Sequence, residues 1–129
     1  MPPPDTALAT GRAPAARDAI ISGWGNGQRA KVTIVRPDGL DELRAALRSA
    51  NSLNALPRGM GRSYGDAALL SGGLVIETTR LKRIELDGHR GTVTAQAGVT
   101  LGELLEVVVP AGWMVPVVPG TQHVTVGGA

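Results

Sequence analysis

Two glycine-dense stretches hold most of the side chains that could meet a ligand. The first, Gly59-Met60-Gly61-Arg62-Ser63-Tyr64-Gly65-Asp66, follows Arg58. The second runs from Pro119-Gly120-Thr121 to Val126-Gly127-Gly128-Ala129. Glycine has no β-carbon, so neighbouring backbone N–H groups can converge on an anion at short range. Arg58 and Arg62 can offset phosphate charge, and Ser63, Tyr64, Thr121 and Thr125 add hydroxyl donors. A diphosphate is the natural guest of two such loops. Either loop alone is weak evidence, because glycines also make plain turns and arginines sit in solvent.

The spacing separates these loops from better-known phosphate motifs. Gly59-x-Gly61 is followed by Tyr64 where a Rossmann fingerprint needs its third glycine, and no Gly-Lys pair exists to form a P-loop. His89, after the Asp87-Gly88 turn, reads as a surface residue. His123 lies within the second loop, without a placed acid or metal partner. With two histidines far apart and no cysteine, no metal site is expected. Asp66 and Glu103 read as a turn residue and a helix cap rather than as an acid–base pair.

The elements that must position the loops can be read from periodicity. Lys31 to Arg36 alternates polar and β-branched residues up to Pro37, as a half-buried strand does. A helix is predicted next, capped by Asp38. Its buried stripe would be Leu40, Leu43, Leu47 and Ala50, with Asp41, Glu42, Arg44 and Arg48 toward solvent. Ala55 to Arg58 is a short second strand leading into the first loop. Strands are then expected at Leu74–Thr78, Arg83–Leu86 and Thr92–Ala97, the last with Val93, Ala95 and Ala97 on one face, pairing as a meander. Thr100 and Glu103 form a T-x-x-E capping box, and Leu101, Leu104, Leu105 and Val108 line the helix behind it as far as Pro110. Trp113 to Val115 is a short extended run before the second loop.

Composition narrows the class. In 129 residues 43% are hydrophobic, enough for a core, but aromatic residues are only 2%, so that core is aliphatic. Thirteen basic against eleven acidic residues, a net +2, is too balanced for a nucleic-acid surface. Residues 1–22, opening Met1-Pro2-Pro3-Pro4, lack the pattern of a secretory signal and read as a flexible leader. The apolar stretch Val107–Val118 is broken by Pro110, Gly112 and Pro116 and is too short for a membrane span. The expected location is the cytoplasm.

Taken in order, Pro57-Arg58-Gly59-Met60-Gly61-Arg62-Ser63-Tyr64-Gly65-Asp66, Gly72-Gly73-Leu74-Val75-Ile76, Ala97-Gly98-Val99, Pro116 to Thr121 and Val124 to Ala129 resemble the FAD-binding half of the vanillyl-alcohol-oxidase, or PCMH-type, flavoproteins. Gly23-Trp24-Gly25 also fits, so the resemblance covers residues 23–129. It implies an α+β fold of two α/β subdomains around an extended FAD, with residues 23–129 the N-terminal portion and the substrate domain and catalytic residues beyond Ala129. It further implies that Arg58, Gly59, Met60, Gly61, Arg62, Ser63 and Tyr64 contact the cofactor on one side and Pro119, Gly120, Thr121, Val126, Gly127 and Gly128 on the other. Relatives that bind flavin covalently carry a histidine at the position of Arg62. Arginine cannot form that bond, so the resemblance implies dissociable, non-covalent FAD.

Within the family, the resemblance points to the branch that oxidises the 2′-hydroxyl of a polyprenyl-phosphoryl ribose for cell-wall arabinan precursors, with a reductase partner completing an epimerisation. A lipid substrate would bring the protein to the inner face of a membrane. Oxidases of other sugars, alditols or aldonolactones use the same loops. The loops alone would also permit a non-catalytic nucleotide-binding module.

Overall fold

A computed structural model describes residues 12–50 and 54–129. Strand β1 (Arg17–Ser22) pairs antiparallel with β2 (Arg29–Val35), and helix α1 (Leu40–Ser49) then leads to β3 (Ala55–Arg58) and β4 (Leu74–Glu77). β4 inserts between β2 and β3, parallel to both, giving a sheet in the order β1-β2-β4-β3. Pro57 is tolerated because β3 is an edge strand with one side free of ladder bonds. Strands β5 (Ile84–Asp87) and β6 (Thr92–Ala95) form a separate antiparallel hairpin, followed by α2 (Leu101–Val108) and a 3₁₀ turn at Val126–Gly128.

Apolar side chains on alternate positions supply three packed clusters. Ala30, Val32, Ile34 and Val75 fill one face of the large sheet, and Val35 and Ile76 meet Ala46 of α1 on the other. The hairpin lends Ile84, Leu86, Val93 and Ala95 to a third cluster built on Val99, Leu101, Leu104 and Val108. The two units meet where Leu81 N–H donates to Thr78 O and Gly98 N–H to Leu81 O, both at 3.0 Å. A β-carbon on Gly98 would overlap the Thr78 carbonyl, so this junction requires glycine.

α2 follows the expected pattern. The Thr100 side chain accepts from Glu103 N–H while the Glu103 carboxylate accepts from Thr100 N–H, and Leu101, Leu104 and Val108 are buried.

Several expectations are corrected. Residues 17–22 of the supposed leader form β1, held by six register pairs with β2, while residues 1–11 lie outside the described residues. Asp38 does not cap α1. The N-cap is Gly39, without a side-chain bond; the Asp38 carboxylate accepts from Arg80 at 3.0 Å, and its N–H donates to Glu42. The buried side of α1 is Ala45 and Ala46 with Leu43 partly covered, whereas Leu40 and Leu47 are exposed. Small residues let the helix approach the sheet closely, which rotates the leucines outward. No meander forms, because β4 takes its bonds from the parallel strands β2 and β3 and leaves β5 to pair with β6. Trp113 to Val115 is irregular, its first N–H tied back to Val108 O.

Candidate functional site

β2, β3 and β4 all run in the same direction, so their carboxyl ends share one edge, where open parallel sheets place ligands. The first glycine loop leaves β3 at that edge. Its tight path needs the left-handed conformation at Gly61 (φ 63°) and Gly65 (φ 60°). The second loop comes to the same edge from the other unit. Thr125 pairs with Thr100 in an isolated bridge, Val126 N–H donates to Val99 O at 2.7 Å, and Gly127 N–H donates to Ala97 O at 3.1 Å. A β-carbon on Gly127 would come within 2.8 Å of the Ala97 methyl.

Together the loops enclose a cavity of about 320 Å³. Arg58 to Ser63 form one wall, Thr125, Gly127 and Gly128 the other, and Ala68, Thr78 and Ala97 the floor. Among the described residues, no backbone N–H from Gly59 to Tyr64 donates to a protein acceptor. A run of free N–H groups around a small cavity is the arrangement an anion needs.

Arg58 lines the cavity with its guanidinium anchored to the backbone. Its guanidinium donates to Ala68 O at 2.8 Å and Ser22 O at 2.6 Å, tying the loop to the end of β1. Burial lowers its pKa from the usual arginine value, and Glu77 nearby works against that shift. Its charge therefore sits partly desolvated at the cavity wall, with most of its reach committed to the backbone. Gly127 and Gly128 line the cavity as well, but their N–H groups are given to Ala97 O and Thr125 O. Gly127 serves close packing on Ala97, and the free donors lie in the first loop.

A second cavity of about 590 Å³ adjoins through Arg62 and Val124, which line both. It holds Tyr64, Gly120 and Thr121 from the expected set, and also Trp24 and His123. The backbone N–H of Trp24 donates to Ser63 O (3.3 Å), and its ring stands edge to face with that of Tyr64, centroids 5.7 Å apart. Gly23, before it, packs so closely on Gly65 O that no side chain would fit. Across the cavity, His123 N–H donates to Thr121 Oγ1 at 3.2 Å. Gln122 O and Val124 O accept from Gly102 and Leu101, so the N-terminus of α2 is closed by the loop rather than open to an anion. Pro119 and Val126 line neither cavity.

Sequence reasoning missed the contribution of Thr78 and Ala97 to the floor and the pairing of Trp24 with Tyr64. The Gly-Trp-Gly string was the available signal for that pairing. Among the described residues, no cluster of three His, Cys, Asp or Glu forms that could hold a metal ion, and no helix is long and apolar enough to cross a membrane.

A family model described as an FAD binding domain matches residues 32–129. The chain is 40% identical over 113 residues to decaprenylphosphoryl-β-D-ribose oxidase of Mycolicibacterium smegmatis, covering 84% of this chain and 25% of that protein. It is 33% identical over 98 residues to D-lactate dehydrogenase of Archaeoglobus fulgidus, covering 74% of this chain and 22% of that protein. The chain thus spans about a quarter of the length of these curated relatives. The fold matches a cholesterol oxidase variant from Brevibacterium sterolicum with a TM-score of 0.76 at 18% identity, over 89% of this chain and 24% of that one.

Proposed function

The chain belongs to the FAD binding domain family, and from that premise we propose that the first cavity takes the diphosphate of FAD in an oxidoreductase that removes hydride from an alcohol carbon. FAD, when bound, supplies the hydride acceptor, and the protein supplies placement and electrostatics. The observation that carries this reading is the run of residues with unpartnered N–H groups from Gly59 to Ser63 lining a cavity closed by Thr125, Gly127 and Gly128. The Arg58 charge, held at the wall by Ser22 O and Ala68 O, favours an anion there without costing entropy on binding. Gly59, Met60, Gly61, Arg62, Ser63 and Tyr64 are the cofactor-binding side of this site. Gly127 and Gly128, with Thr125, form the opposite wall, Gly120 and Thr121 line the second cavity, and Pro119 and Val126 flank these residues in the chain. The cofactor is held non-covalently, since Arg62 offers no nucleophile to the flavin ring.

The substrate is a polyprenyl-phosphoryl ribose oxidised at its 2′-hydroxyl, in a longer protein whose substrate domain follows this segment and which works with a reductase. The 40% identity to the decaprenylphosphoryl-β-D-ribose oxidase supports this assignment. A small 2-hydroxy acid is the second reading, favoured by the D-lactate dehydrogenase likeness at lower identity and coverage.

The test is a titration with FAD followed by flavin fluorescence, with ADP as competitor. Saturable binding that ADP displaces, and that acid precipitation releases as free flavin, is the expected result. Binding that ADP leaves untouched would remove the diphosphate from the first cavity, and flavin remaining on the precipitated chain would refute the non-covalent mode.

A further inference from the structure

We propose that Glu77 is a positioning residue for the first cavity, acting through Arg58 from the middle of an Arg36–Glu77–Arg58 charge row to set how strongly that cavity holds an anion. Glu77 itself lines neither cavity. This rests on the reading above for the identity of the anion, the FAD diphosphate.

The row follows from the sheet. Arg58 and Glu77 are partners in the parallel register of β3 and β4, so their side chains leave adjacent strands on one face, about 4.8 Å apart at the backbone. On the other side of β4, Val35 pairs with Ile76, which sets Arg36, one step beyond β2, opposite Glu77. Two arginines therefore flank one carboxylate across the carboxyl edge of β2, β4 and β3, where the first loop leaves β3.

The two arginines are held differently. Arg36 donates to both carboxylate oxygens, from Nε to Oε1 and from Nη2 to Oε2 at 3.1 Å, and Thr79 Oγ1 donates to Oε1 at 2.9 Å. The Glu77 side chain is 16% exposed, so the pair is partly shielded from water. Arg58 instead directs its side-chain bonds to Ala68 O and Ser22 O and meets Glu77 through space. Burial works to raise the Glu77 pKa, but the bonds from Arg36 and Thr79 and the charges of Arg36 and Arg58 hold it below its usual value. The carboxylate is thus ionised at neutral pH and offsets part of the field that Arg58 projects into the cavity. The full row sums to one positive charge; without Glu77 it would carry two, and without Arg36 none.

The test measures binding of inorganic pyrophosphate, and of FAD by flavin fluorescence, to the parent, Glu77→Gln and Arg36→Gln at low and high salt, with a thermal melt of each. Both substitutions break the same ion pair, so a merely bracing role weakens binding in both. The charge row requires opposite signs: about threefold to tenfold tighter binding in Glu77→Gln, and a loss of similar size in Arg36→Gln, each from one charge acting at a screened distance. Both effects should shrink as salt is raised. Arg36→Lys restores the charge without the two-pronged geometry and should recover the parent affinity. It decides the matter even where Glu77→Gln does not fold, because a loss equal to that of Arg36→Gln would overturn the proposal. Weaker or unchanged binding in Glu77→Gln, or effects that salt leaves untouched, would overturn it as well. Opposite shifts for pyrophosphate in a chain that takes up no FAD sink the cofactor reading alone, and shifts of one sign with FAD retained sink the charge row alone. A parent that binds neither ligand overturns both.

Discussion

Gly59 lies so close to Thr125 that a β-carbon at position 59 would overlap the threonine hydroxyl. That contact brings the end of β3 against the second loop and sets the width of the first cavity. It joins residues distant in sequence, and Thr125 is itself buried at 3% exposure and bridged to Thr100.

Gly59→Ala should therefore push the loops apart. Overpacking at such a contact costs about 1–3 kcal/mol, and FAD affinity should fall with it. Thr125→Ala removes the obstructing hydroxyl, so the double variant should recover part of both losses. A thermal melt and an FAD titration on the four members of the cycle measure this coupling. Strict additivity would show that the two residues do not press on one another.

Arg58 predicts a different kind of failure. Its two bonds, to Ser22 O and Ala68 O, leave from different guanidinium nitrogens and reach carbonyls on separate segments. A lysine keeps the charge but has a single point of donation. Arg58→Lys should lose about 1.5–3 kcal/mol of stability, the worth of one hydrogen bond to a charged group. It should bind FAD more weakly through a loosened loop. Stability equal to the parent in chemical denaturation would show that charge alone matters at this position.

The capping box gives a pH prediction. The Glu103 carboxylate is held below its usual range first by the hydrogen bond from Lys82 and then by the Thr100 N–H. A carboxyl whose folded pKa lies below its unfolded value contributes stability that is complete above the unfolded value, near 4.5, and is lost as pH falls through the folded one. Both partners are substantially exposed, so the ion pair itself adds little. Glu103→Gln should flatten the acid limb of the stability profile while changing little at neutral pH beyond the ion pair and part of the cap. Thr100→Ala should cost about 1 kcal/mol at neutral pH. An unchanged acid limb in Glu103→Gln would place the acid sensitivity elsewhere, with the Arg36–Glu77 pair the next carboxylate to examine.

Local signals were legible and long-range ones were not. The capping box at Thr100 and Glu103, the edge strand at Ala55–Arg58 and the loop at Gly59 each depend on a few neighbouring residues, and the structure places them where the chain indicates. β1 was hidden because Arg17–Ser22 follows an Ala- and Pro-rich stretch and gains its ladder only from β2. The meander failed for the same reason: β4 pairs in parallel with strands on either side that are far from it in sequence. Both loops were visible as glycine clusters, but their division of labour was not. Whether a glycine frees its N–H or merely permits close packing depends on which carbonyl lies opposite, and Ala97 O and Thr125 O settle that for Gly127 and Gly128.

Helix α1 puts the misread face to a test. Periodicity favours Leu40 and Leu47 as core residues, yet Leu47 is 54% exposed and Ala46, one position before it, only 1%. The buried side of the helix is Ala45 and Ala46, with Ala46 packed against Val35 and Ile76. Leu47→Lys should therefore change stability by no more than about 0.5 kcal/mol, as surface substitutions do. Ala46→Leu should cost about 1–3 kcal/mol by forcing α1 off the sheet. Chemical denaturation of the two variants against the parent distinguishes the faces directly. A large loss in Leu47→Lys with a tolerant Ala46→Leu would mean that the leucine stripe, not the alanine pair, is what packs in solution.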